Sequence, residues 1–156
     1  MTDSNLVQLM TLLSPVLPIG GFAYSAGLES ACQHKLVTDE AQLQAWIETG
    51  LTRGALRNDG IILSNTAAAA TAAAAAAAAA SATAAGTLPD AAPGIDEIND
   101  LALGLCGSAT RFAETTAMGA AFIESAIPWL AEGALPLPSP LSYPVAVGAV
   151  TGAAFP

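Results

Sequence analysis

The chain has 156 residues, a formal net charge of −9 from 13 acidic against 4 basic residues, and an apolar fraction of 53% that alanine inflates. That length suits one domain with a buried core. So acidic a composition excludes a nucleic-acid interface, which needs clustered Lys and Arg to displace counterions, and gives no attraction to an anionic membrane.

Taken in chain order, the elements are helical wherever there is a period. Leu6, Leu9, Met10 and Leu13 repeat at helical spacing behind Asp3 or Ser4 as caps, and Pro15 and Pro18 end that helix. Ser25 is placed to cap a second helix, with Leu28, Ala31, Cys32 and Leu36 on one face. Thr38 is expected to cap a third, whose Leu43, Trp46, Ile47 and Leu51 make the clearest amphipathic stripe in the chain. Asp59 is placed to start a fourth, with Ile61, Ile62 and Leu63.

Residues 66–85 are alanine except for Thr66, Thr71, Ser81 and Thr83. Alanine favours helix, but this tract has no large apolar face, so its packing is predicted to be thin. Residues 86–94 read as a linker. Helical spacing resumes at Ile95, Ile98, Leu101, Ala102 and Leu105 and ends at Gly107. Thr110 is expected to cap the next helix, with Met118, Ala121, Phe122 and Ala126 as its stripe and Pro128 as its stop. Residues 136–144, with four prolines, read as an extended connection, and residues 145–154 as a last apolar stretch. No useful β alternation occurs. The prediction is all-α: a single-domain helical bundle over 1–156 with proline-rich connections, stopping abruptly on apolar residues as if cut short.

MTDSN lacks the basic and apolar regions of a signal peptide. No run of about 18 strongly apolar residues appears, and the run at 67–80 reads as too short and too weakly hydrophobic to span a bilayer. Cys32 and Cys106 lack metal spacing and read as reduced thiols. These features predict a cytoplasmic protein.

The densest chemistry is SPVLPIGGFAYSAGLE, residues 14–29. As a nucleophile elbow, Ser25 in Ala23-Tyr24-Ser25-Ala26-Gly27, a variant of G-x-S-x-G, would need a histidine base and a preceding strand. The chain's single histidine, His34, lies on the same predicted helix, roughly 13 Å along the axis, out of reach. As a phosphate cradle, Gly20-Gly21 lacks the full glycine-lysine pattern and any nearby cation. One His, two distant Cys and scattered acids form no metal constellation. His34 reads as a surface or half-buried helix residue, Glu29 and Glu114 as solvated carboxylates, and Trp46 and Trp129 as core. The remaining reading is a rigid turn: Pro15 and Pro18 fix φ, Gly20 and Gly21 free it, and Phe22 and Tyr24 project from it for partner recognition or helix docking.

SPVLPIGGFAYSAGLESA followed by LVTDEAQLQAWI closely resembles the N-terminal signature of the urease accessory protein UreF family, with Ala23 in place of a small hydroxyl residue. Two later blocks agree in order: Thr110-Arg111 with Glu114 and Met118-Gly119, then Tyr143-Pro144-Val145-Ala146 with Gly148. The resemblance implies an all-helical nickel-metallocentre chaperone rather than an enzyme. It implies a dimer that bridges UreD (also called UreH) and the GTPase UreG on apo-urease, with nickel handled by the complex and no cofactor of its own. The residues that carry the match, and so the implied partner-binding or structural motif, are Pro15, Pro18, Gly20, Gly21, Phe22, Tyr24, Ser25, Gly27, Leu28, Glu29, Arg111, Glu114, Met118, Gly119, Pro144 and Gly148. The chain departs from the family in its alanine tract, in Phe112 and Ala113 where polar or basic residues are usual, and in lacking the family's C-terminal helices. Two other classes stay open: a helical scaffold unrelated to urease, and a serine hydrolase using Ser25.

Overall fold

A computed structural model describes residues 3–82, 94–129 and 137–155. The described residues form seven α-helices and no strand: α1 Asp3–Leu12, α2 Leu28–Gln33, α3 Glu40–Arg53, α4 Ala55–Ala82, α5 Ile95–Gly104, α6 Ala109–Ala126 and α7 Tyr143–Ala154. The all-α expectation holds. Most of the linker expected at 86–94 lies outside the described residues, as do the side chain of Trp129 and the early part of the proline-rich connection.

The centre of the fold is α7. Its residues from Pro144 to Val150 are all buried, and it packs chiefly on α4 and α6. Pro144 belongs to this helix and not to the extended connection expected at 136–144. It sits in the first turn, where a missing N–H costs nothing. Phe122 of α6 is fully buried and meets the Tyr143 ring edge-on, with centroids 5.9 Å apart at 81°. Leu12, Ile62, Ile98 and Ala102 complete the core around them.

The alanine tract is thinly packed beyond Thr71, where Ala72, Ala73 and residues 75–79 are exposed, but its first residues are packed closely. It is the second half of α4, and its small side chains let α7 approach backbone to backbone. A Cβ on Gly148 would lie 2.5 Å from the Leu63 carbonyl oxygen, and one on Gly152 would collide with the Ala67 carbonyl. Thr66 and Ala70 are fully buried in this contact, and Thr71 Oγ1 donates to the Gly152 carbonyl at 3.0 Å. Close approach replaces bulky side chains as the source of contact. By length and composition alone, Ala55–Ala79 is also long and apolar enough to cross a membrane. In this fold it carries a paired Asp59 and seats α7.

Several starts and faces differ from expectation. Asp59 lies inside α4, which begins at Ala55. Asp39, not Thr38, caps α3: its extended backbone lets the carboxylate accept the Gln42 N–H at 2.9 Å, while the Gln42 side-chain oxygen accepts the Thr38 N–H at 2.7 Å. Ser108, not Thr110, caps α6 by accepting the Arg111 N–H at 3.1 Å. On α1 the buried residue is Leu12, whereas Leu6, Met10 and Leu13 of the expected face are exposed, because no described helix covers that side. In α2 only Ala31 is buried. Cys32 is exposed on the helix, and Leu36 is exposed because the helix stops at Gln33 and Lys35 turns through φ 59°.

Candidate docking groove

The turn between α1 and α2 is held by backbone geometry. Gly20 and Gly27 adopt φ of 76° and 85°, in the left-handed region that side chains resist. Between them Gly21–Ala23 form a 3₁₀ turn with no buried residue, and Phe22 at its tip is 88% exposed. Gly27, not Ser25, is the residue entering α2, although Ser25 Oγ still accepts the Glu29 N–H at 3.3 Å. Pro15, Pro18, Gly20, Phe22 and Glu29 lie exposed on this turn and on the start of α2.

Gly21, Tyr24, Ser25, Gly27 and Leu28 line a groove of about 820 Å³, Gly21 and Leu28 half-buried and the other three exposed. Its opposite walls are Trp46 and Ile47 of α3, Leu56 and Asp59 of α4, and Arg111, Glu114 and Met118 of α6, with Tyr143 of α7 contributing as well. The three blocks singled out in the sequence therefore meet at one surface. The α3 stripe, expected in the core, stands here instead: Trp46 is 38% and Ile47 46% exposed. Gly119, Pro144 and Gly148 are buried away from the groove. Gly119 is a point of contact where a Cβ would collide with the Leu141 carbonyl. These three serve helix packing.

The polar part of the groove is centred on Arg111. Its guanidinium donates to Asp59 at 2.5 Å and to Glu114 at 3.0 Å, with all three side chains less than a third exposed. One cation against two carboxylates leaves this end net negative, beside the apolar walls of Trp46, Ile47, Leu56 and Met118. Cys106 lies nearby, and burial pushes its thiol pKa up, an effect the Arg111 charge opposes. Both cysteines are free thiols.

Nothing in this arrangement resembles a hydrolase centre. Ser25 spends its oxygen on a helix N–H, and His34 stands at the far end of α2, a helix of roughly 9 Å at 1.5 Å rise per residue. No group of three or more His, Cys, Asp or Glu side chains that could hold a metal ion occurs among the described residues. Asp59 was missed as a site residue, since its partner is 52 residues away in sequence. The available signal was a rare arginine on a sparsely charged helix, which calls for a carboxylate.

The described residues thus form an all-helical body with an apolar groove that is closed at one end by an ion-pair cluster, the features of a ligand- or partner-binding surface. A model of the UreF family matches residues 37–154. A urease accessory protein UreF from Allorhizobium ampelinum is 40% identical over 153 residues, covering 94% of this chain and 58% of the relative. One from Rhizobium etli is 40% identical over 148 residues, covering 95% and 58%. A urease accessory protein UreF 1 from Brucella canis is 37% identical over 147 residues, covering 94% and 56%. The chain belongs to the UreF family, which sets aside the unrelated scaffold, and it spans under three-fifths of the length of these curated relatives. Their names describe accessory proteins, not enzymes. No solved structure matches the chain.

Proposed function

We propose that this chain acts as a non-catalytic adaptor in urease activation, bridging UreD (UreH) and the GTPase UreG on apo-urease while the complex assembles the nickel centre. In this reading nickel is the cargo of the complex, the chain binds no cofactor of its own, it pairs with a second copy as its family does, and it works in the cytoplasm. Residues 1–156 form one UreF-like domain. The supporting observation is the convergence of Gly21, Tyr24, Ser25 and Leu28 with Arg111, Glu114, Met118 and Tyr143 on one apolar groove, while Phe22, next to Gly21 in the chain, is 88% exposed. An apolar partner segment bearing a basic group fits the walls and the net-negative end together.

The test is co-expression of this chain with tagged UreD, followed by affinity purification. The chain is expected to co-purify as a helical protein. A helical chain that stays in the flow-through, while the Allorhizobium relative co-purifies in parallel, would remove this reading.

A further inference from the structure

Beside the Arg111–Asp59 pair lies a second, smaller recess of about 90 Å³, sharing Ala55, Asp59 and Arg111 with the groove and lined as well by Thr115, Cys106 and Ser142. Ser142 is the unusual member. It stands at the N-cap of α7, where a serine hydroxyl ordinarily accepts an N–H from the first turn, yet it makes no such bond. One reason is local: Pro144, two residues on, has no N–H to give. Ser142 is 1% exposed, and its Oγ meets no protein hydrogen-bond partner among the described residues. A hydroxyl buried without a partner is costly, and such groups in folded proteins are met by protein or by ordered water.

The recess has the size and chemistry for water. Its volume is several times the roughly 10–15 Å³ that one water needs, and a buried water requires two to four polar partners, about three on average. Besides the Ser142 hydroxyl, Thr115 Oγ1 accepts the Tyr143 N–H at 3.0 Å and keeps its own proton to donate. The Asp59 carboxylate donates nothing and has lone pairs beyond the Arg111 bond. We propose that this recess is a binding site for ordered water, anchored by the Ser142 hydroxyl and completed by Thr115 and Asp59. The site stands on the recess and the orphaned hydroxyl, independently of what docks in the outer groove.

The sign of one substitution tests it. In the hydrated site, Ser142→Ala removes a made hydrogen bond, and the folding equilibrium constant falls by about fivefold in urea unfolding. If the recess is dry, Ser142→Ala relieves an unsatisfied group, and stability rises or stays level. Either of those results overturns the proposal. Should the variant fail to fold, a high-resolution crystal structure of the unsubstituted chain decides. Solvent density within hydrogen-bond distance of Ser142 Oγ supports the site, and a recess without density contradicts it.

Discussion

The Arg111 guanidinium on α6 ties Asp59 on α4, 52 residues earlier, to Glu114 one turn along its own helix. This triad joins the walls of the groove, so its loss acts on stability and on shape together. Arg111→Ala leaves two partly buried carboxylates facing each other and is expected to cost about 1–3 kcal/mol in urea unfolding. Arg111→Lys restores only part of this, because one ammonium does not reproduce a fork that reaches two carboxylates.

Packing of α7 on the alanine tract predicts opposite signs for two glycine substitutions. Gly148→Ala forces its methyl toward the Leu63 carbonyl and the Thr66 side chain and is expected to destabilise by about 1–3 kcal/mol. Gly60→Ala, on the same α4 helix with open space around it, is expected to stabilise by about 0.5–1 kcal/mol. Paired thermal melts by circular dichroism check both.

Alkaline pH should weaken the fold. Burial raises the pKa of Cys106 above its ordinary 9.0 and that of Tyr143 above 10.0. In that window the folded chain holds more protons than the unfolded one, so stability is full below about pH 9 and falls as pH rises through the folded values. Melting temperature against pH checks this, and Tyr143→Phe should flatten the upper part of the decline. Alkylation should also reach the exposed Cys32 thiol before that of Cys106.

Phe22 separates binding from folding. At 88% exposure it contributes little to the core, so Phe22→Ala should leave stability within about 0.5 kcal/mol. The same variant is expected to reduce co-purification with tagged UreD. A melt and a pull-down on one preparation read both quantities.

Much of this fold is legible in the letters, because helices of this kind are local. The spacing in residues 40–53 and 95–104, the proline stops and the left-handed Gly20 report short-range geometry, whereas the second left-handed glycine is Gly27 and not Gly21, which lies inside the 3₁₀ turn. Three features are not local. The alanine tract packs through Gly148 and Gly152, some 80 residues away, as the Thr71–Gly152 separation of 81 illustrates. Asn99 is tied at both ends of its amide inside the fold, donating to the Pro140 carbonyl and accepting the Ser142 N–H, both at 2.9 Å, which no helical pattern announces. The Trp46 and Ile47 stripe is amphipathic as read, but amphipathicity marks a face that seeks apolar contact without saying whether the chain or a partner supplies it. Of the candidate site, the groove-lining residues of the first block and Arg111, Glu114 and Met118 meet as one surface, while Gly119, Pro144 and Gly148 belong to packing.

The most direct test of groove docking is hydrogen–deuterium exchange on the chain alone and in complex with UreD. Docking in the groove predicts added protection at residues 20–28 and 108–118, with the α4–α7 contact unchanged. A complex that forms while both segments exchange as fast as in the free chain would contradict it.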